Sequence, residues 1–196
     1  MGFQIQDGTG SNRRARVGNS NRLFTESTTR NEREEQAING EAYIIGTGFV
    51  NLTTSGTSAV LYFKNNEDFD LVITRFLIGV KKSVGGTENF ITGIIYKNPT
   101  SMVSGTGNPL AINNVNFGSS NTINSDSEIG QQGALLAGGS AYLATVLPTE
   151  NLTSEDAATI LPKGSSIGVF ITPPPGNTSI NVSVGINLHK LTDDLT

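Results

Sequence analysis

The chain has 196 residues, which suits one domain of moderate size, and it contains no cysteine, so disulfides, thiol catalysis and cysteine-ligated zinc are excluded. It has 23 Gly and 20 Asn, and only 15% of its residues are charged. Gly and Asn favour turns, whereas a hydrophobic content of 36% is unlike that of a disordered chain. No hydrophobic run approaches the roughly 20 residues that span a bilayer, so we expect no membrane partner.

The N-terminal segment is basic, while the rest of the chain is acidic. Five arginines and one acid between residues 8 and 31 give +4 (5 − 1), and the whole chain carries −4, which leaves −8 for the remainder (−4 − 4). A basic segment on an acidic body predicts contact with an acidic partner. Carboxylates of a neighbouring protein and nucleic acid both fit that description, and a solvated tail is the plain alternative. Aromatic residues near these arginines are limited to Phe3 and Phe24, which disfavours nucleic acid.

Residues 1–30 are predicted to form an extended arm, in which Phe3 and Ile5 alternate with polar residues. Residues 31–40 predict one short helix, because Asn31 can cap it, Glu34 completes a capping box and Gly40 provides a stop. The arm residues predicted to bind a partner are Phe3, Ile5, Arg13, Arg14, Arg16, Arg22, Leu23 and Phe24.

After residue 40 the sequence predicts strands, because runs rich in Val, Ile, Phe and Tyr alternate with polar turns. The predicted strands are 42–52, 58–64, 69–80, 89–97, short ones near 110–116 and 133–137, then 140–147, 160–162, 166–172 and 179–189. Residues 65–68 have the length of a hairpin turn, and residues 153–157 predict a single helical turn.

These elements predict an all-β protein. We expect residues 41–196 to form an antiparallel β-sandwich of jelly-roll type. Residues 1–40 would precede it as an extended N-terminal arm with one short helix.

The catalytic motifs in the sequence are weak, so we expect no enzyme and no cofactor. Residues 164–168 match the G-x-S-x-G pattern of a nucleophile elbow, with Ser166 as the nucleophile. That motif requires a strand before the serine, a helix after it and a downstream histidine. Here a strand is predicted after Ser166, and the single histidine, His189, ends another strand.

Metal binding is also not expected. One histidine cannot form a multi-histidine site. Glu67, Asp68 and Asp70 could gather around calcium, but their spacing lacks the EF-hand loop and its closing glutamate. Asp126 and Glu128 are interpreted as loop carboxylates.

Several strings of residues resemble small virion structural proteins of tailed bacteriophages, over nearly the whole chain. They are Asp7-Gly8-Thr9-Gly10, Ala15-Arg16-Val17, Asn21-Arg22-Leu23, Gly40-Glu41-Ala42-Tyr43, Val60 to Asp68, Asn114 to Ser120 and Leu161 to Ser165. The resemblance implies a subunit with a basic arm and a β-sandwich body that works as a trimer or another symmetric cluster on the virion. Its implied partners are the major capsid protein or other virion proteins.

The resemblance therefore favours a capsid decoration or cement protein on the capsid surface, whose arm arginines pair with capsid carboxylates. Arginine suits this role better than lysine because its guanidinium binds a carboxylate with two parallel hydrogen bonds. The alternative is a tail, baseplate or fibre component, including a host-binding adhesin. A glycan-binding version would need aromatic platforms, and the chain has no Trp and four Tyr.

Overall fold

The computed structural model describes residues 16–17, 23–24, 32–53, 56–84, 90–103, 108–148, 152–173 and 179–191. The chain divides into two compact units, Met1–Glu32 and Arg33–Thr196. In the first unit, strand β1 (Arg16–Val17) pairs antiparallel with β2 (Leu23–Phe24).

The second unit consists almost entirely of strands. The one helix described in the chain is α1 (Glu32–Asn39). The strands that follow are β3 (Ala42–Gly46), β4 (Val50–Leu52), β5 (Ser58–Asn65), β6 (Leu71–Val84), β7 (Phe90–Lys97), β8 (Ser101–Val103), β9 (Asn108–Pro109), β10 (Ala111–Asn114), β11 (Ser125–Ile129), β12 (Leu135–Ala137), β13 (Ser140–Pro148), β14 (Leu152–Leu161), β15 (Ser166–Thr172) and β16 (Ser179–Lys190). The predicted all-β class with one short helix is confirmed.

Helix α1 agrees with its prediction at both ends to within one or two residues. It is followed by Gly40, whose φ of 72° lies in the left-handed region, which favours glycine. A Cβ at Gly40 would also overlap the Ser119 side chain, so glycine is required there for a second reason. The described part of the chain has no helix long and apolar enough to cross a membrane.

Two six-stranded antiparallel sheets make up the body. Sheet 1 has the order β10-β3-β16-β6-β14, and β4 also pairs with β16. Sheet 2 has the order β13-β7-β15-β5-β11-β9. A small third sheet consists of β12 and β8.

Sheets 1 and 2 contribute to a single hydrophobic core. In β16, Ile180, Val182 and Val184 are buried while the residues between them are partly exposed, which confirms the predicted alternation. In sheet 2, Leu61 and Phe63 are fully buried in the same cluster. Each sheet therefore buries one face against this core.

The other face of sheet 2 is partly covered as well. A second cluster joins Ala59, Tyr62 and Phe170 of sheet 2 to Met102 of β8 and Ala134, which precedes β12. Leu136 of β12 packs against this cluster. Because both faces of β5 are covered, nearly all of its residues are buried.

The predicted hairpin between residues 58–64 and 69–80 is wrong. Strand β5 belongs to sheet 2 and β6 belongs to sheet 1. Asn65 explains the crossover, because its Nδ2 donates to the carbonyls of Phe69 (2.9 Å) and Leu161 (3.1 Å), and its Oδ1 accepts from the Glu67 amide (3.0 Å). The side chain thus holds the turn against the end of β14, in the other sheet.

The predicted helical turn at 153–157 is also wrong, since these residues lie in β14, paired with β6 along Leu152–Leu161. Pairing with a neighbouring strand outweighs the local helical preference of Thr-Ser-Glu-Asp-Ala here. The predicted strand 42–52 is interrupted at residues 47–49, and short strands β8, β9 and β11 were not predicted.

Gly130 provides a test of the packing between β5 and the segment that covers it. A Cβ at Gly130 would overlap the backbone carbonyl of Ala59 and lie 2.9 Å from Met102 Sδ. We expect Gly130→Ala to lower the free energy of unfolding by about 1–3 kcal/mol, as in overpacked cores. Gly46→Ala is the matched control, because nothing lies within 4 Å of its Cβ position. Urea denaturation should show no loss for the control, and equal losses for both variants would contradict the packing described.

Candidate interaction surfaces

The structure describes the backbone of only part of the predicted arm. Arg16 pairs with Phe24 in the β1–β2 ladder, and Leu23 pairs with Val17. Three of the eight predicted arm residues therefore come together in one short antiparallel pairing. The other five, Phe3, Ile5, Arg13, Arg14 and Arg22, lie outside the described residues.

The G-x-S-x-G match forms a turn and a strand rather than a nucleophile elbow. Gly164 has a φ of 75° in the turn before β15, and Ser166 is the first residue of that strand. Ser166 is buried, and its hydroxyl donates to the carbonyl of Pro99. His189 belongs to β16 in the other sheet, where its Nδ1 lies 2.9 Å from the carbonyl oxygen of Lys190. The G-x-S-x-G match is therefore explained by the turn before β15 and by the burial of Ser166 in that strand.

The carboxylates considered for calcium instead hold loops in place. Glu67 Oε1 accepts from the Asn124 amide (2.6 Å), and Asp70 Oδ1 accepts from the Lys163 amide (3.0 Å). Asp126 and Glu128, interpreted from the sequence as loop carboxylates, instead lie in β11, and Asp126 is 3.8 Å from Lys64 Nζ in an exposed ion pair. Among the described residues, no three ligating side chains gather into a possible metal site.

Three asparagines, one at the end of β10 and two after it, hold the C-terminal end of α1 and the glycine that follows it, which the sequence did not predict. Asn114 Nδ2 and Asn121 Nδ2 donate to the Gly40 carbonyl at 2.8 and 3.2 Å, and Asn116 Nδ2 donates to the Ile38 carbonyl at 3.0 Å. The last carbonyls of a helix have no partner within the helix, and the Asn116 amide satisfies one of them. The other two amides hold Gly40, the residue that follows the helix. We call Asn114, Asn116 and Asn121 the asparagine clamp.

The clamp also shapes a turn that exposes an aromatic ring. The Asn114 side chain accepts from the Asn116 amide (2.8 Å), and the Asn116 side chain accepts from the Gly118 amide (3.0 Å). Between them, Phe117 is fully exposed to solvent. The neighbouring Ile38 is half exposed, so the clamp lies beside a small apolar surface.

An apolar pocket of about 300 Å³ opens where β7, β13, β14 and the turn before β15 meet. The large apolar side chains that line it are Ile95, Tyr96, Tyr142, Ile160, Leu161 and Ile167. Tyr142 and Ile160 are 58% and 53% exposed, so large apolar side chains remain in water at its rim. Among the described residues that line it, Lys97 carries the only charge.

A second, more polar cavity of about 400 Å³ lies beside Tyr43 and the end of β16. Lys190 Nζ is 3.3 Å from Glu41 Oε1 and 4.7 Å above the centre of the Phe69 ring. The pKa of Tyr43 is raised, first by burial and then by the negative charges of Glu41 and Glu67. The carboxylates of Glu41 and Glu67 therefore line this cavity together with Lys190, which pairs with Glu41.

The pKa of Tyr62, in sheet 2, is also raised. Burial raises its pKa, the charges of Asp126 and Glu128 add to the rise, and a hydrogen bond with Ser166 opposes it. Its hydroxyl donates to the Thr100 carbonyl at 3.0 Å. Tyr62 is thus a neutral structural link to the segment that covers the outer face of sheet 2.

Comparison of the chain with protein-family models, curated proteins and solved structures finds no match. Inferences about its function therefore depend on the residues and the geometry described above.

Asn114 tests the asparagine clamp. Removing its amide breaks the bonds to Gly40 and Asn121 and the turn bond to Asn116, at about 0.5–1.5 kcal/mol for each hydrogen bond. We expect Asn114→Ala to lower the free energy of unfolding by about 1–3 kcal/mol in urea denaturation. Asn113→Ala, at the exposed neighbouring position of β10, should change it by less than about 0.5 kcal/mol. Equal effects would show that the clamp does not hold this region.

Proposed function

We propose that this chain is a non-enzymatic virion structural protein that decorates a capsid. In this proposal the N-terminal arm binds the major capsid protein or another virion protein. The body forms a symmetric homo-oligomer, with a trimer as the simplest case, on the capsid surface.

The observation that carries the proposal is the nested pairing of strands in the body. Strand β3 pairs with β16, β5 with β15, β6 with β14 and β7 with β13, all antiparallel. If these eight strands are numbered in chain order, sheet 1 contains the order 1-8-3-6 and sheet 2 the order 2-7-4-5. A chain folded back on itself and then rolled into two sheets produces this order, which supports a jelly-roll sandwich.

Jelly rolls occur in viral capsid proteins, lectins and cupins, so the fold alone does not select a function. Two features of the sequence favour the virion. First, the chain has one His and no Trp, so it offers neither a group of histidine ligands nor a tryptophan platform for a sugar. The basic segment before an acidic body supplies a contact that a structural subunit needs, and the resemblance to virion proteins points the same way.

The arm would act through charge-assisted hydrogen bonds. Arg13, Arg14, Arg16 and Arg22 can each bind a carboxylate with two parallel bonds, which fixes orientation as well as adding attraction. Many copies on a symmetric shell add avidity to contacts that are weak one at a time. A rigid two-sheet body and an arm that reaches a neighbour together make a subunit that stabilises contacts between capsomers.

Deleting residues 1–30 tests this proposal. We expect attachment of the purified protein to particles lacking it to weaken at least about tenfold, because the charged contacts are lost. The body should retain a cooperative urea transition, since its core lies within residues 42–188. Attachment would be measured by co-sedimentation with the particles.

Two matched variants separate the contribution of the charge of the arginines from that of their two-bond geometry. In the first variant, Lys replaces Arg13, Arg14, Arg16 and Arg22, which keeps the charge but removes the two-bond geometry. In the second variant, Gln replaces the same four residues and removes both. The Lys variant should therefore lose less attachment than the Gln variant and more than the wild type. If the arm bound nucleic acid instead, attachment would fall steeply with salt and Lys would nearly match Arg. Normal attachment of the truncated protein would overturn the proposed role of the arm.

A further inference from the structure

Phe117 has the features of an anchor for a protein–protein contact. Its ring is fully exposed, although hydrogen bonds hold the turn that carries it. The side-chain oxygens of Asn114 and Asn116 accept from backbone amides of the turn, and the Ser119 amide donates to the Asn116 carbonyl (2.9 Å). A held turn loses little further entropy on binding. Buried aromatic anchors contribute most of the binding energy in many interfaces.

The apolar pocket beside β13 and β14 has the matching features of a receptor. Its volume of about 300 Å³ is at the lower end of the range for ligand pockets, which suits one aromatic side chain. Tyr96, Tyr142 and Ile160 provide ring and aliphatic surface, and Tyr142 and Ile160 leave much of that surface in water. If an exposed aromatic ring filled the pocket, apolar area of both the ring and the pocket lining would be removed from water.

The Phe117 turn and the pocket lie at opposite edges of sheet 1. Phe117 follows β10, the first strand in the order β10-β3-β16-β6-β14, while Ile160 belongs to β14, the last. Four inter-strand spacings separate these strands, or roughly 19 Å at about 4.8 Å each. Phe117 cannot fill the pocket of its own chain, but it can fill that of a second copy.

Charge favours the same pairing. Glu34 and Glu35 lie four and three residues before Ile38, so they share its side of α1, next to the Phe117 turn. Lys97 lines the pocket, and Lys163 lines the adjoining cavity, which shares Asn98, Ser165 and Ser166 with it. All four charged side chains are exposed, so the acidic surface beside the Phe117 turn is complementary to the basic surface beside the pocket.

We propose that Phe117 of one copy occupies the pocket lined by Tyr96, Tyr142 and Ile160 of a second copy. Because the two surfaces differ, the contact is head-to-tail, and repeating it gives a ring when the rotation between copies closes. This inference deepens the proposed function and rests on it for the expectation of a trimer. It assigns the residues that would join the copies.

The test is the oligomeric state of the full chain, measured by sedimentation velocity from about 1 μM to about 1 mM. Wild type should form a closed oligomer. Phe117→Ala should raise the apparent Kd at least about tenfold, because an aromatic anchor is lost. Phe49→Ala is the matched control, since Phe49 is also an exposed phenylalanine, 72% exposed, in the loop between β3 and β4, and it should associate as wild type does.

Mixing two defective variants tests the head-to-tail geometry. Ile160→Asp places a charge at the pocket rim and should also weaken association, and both altered residues are exposed enough to leave folding intact. A mixture of Phe117→Ala and Ile160→Asp retains one intact turn and one intact pocket. It should therefore form a pair of one copy each and nothing larger.

A charge exchange adds a rescue test. Glu35→Lys and Lys97→Glu should each weaken association, and the double variant should restore it. A monomeric wild type over the whole concentration range, or unchanged association of Phe117→Ala, would overturn the inference. Unchanged association of Phe117→Ala would overturn this inference alone, whereas a monomeric wild type would also remove the homo-oligomer from the proposed function. Either result would leave the arm-dependent attachment to particles standing.

Discussion

The hydrophobic core that sheets 1 and 2 share is the constraint on which the rest of the structure depends. Side chains alternate along a strand, so once Ile180, Val182 and Val184 of β16 face the core, the residues between them must face outwards. The nested pairs of strands then bring distant segments together in a fixed register. Loops, edges and exposed side chains take their positions from that register.

The same constraint explains where the contact surfaces occur. Each sheet ends in edge strands, and the turn after β10 and the pocket beside β14 lie at the two edges of sheet 1. The segment from β8 to β12 joins strands β7 and β13, which pair with each other, so it can extend both sheets and cover sheet 2 without disturbing the nested pairs. Recognition by this protein is thus expected at edges and turns rather than in the core.

Much of the fold could be predicted from the sequence, because period-two patterns such as Ser179–Val184 report directly which face is buried. The strand 166–172 and the helix stop at Gly40 were predicted correctly for local reasons. The crossover after Asn65 could not be predicted, because it depends on a bond from Asn65 to Leu161, 96 residues away. The asparagine clamp and the apolar pocket were missed for the same reason, since each combines residues far apart in the chain. The Phe117 turn is held by bonds between near neighbours, but the exposure of its ring depends on the packing of the whole fold.

Electron cryo-microscopy of intact virus particles would locate this chain and count its copies. We expect many copies on the icosahedral lattice, in closed clusters, with residues 1–30 contacting a neighbouring protein. A few copies confined to the tail or the portal axis would contradict the decoration role and favour the tail or baseplate alternative. Particles that contain no copy of the chain would contradict the virion role altogether.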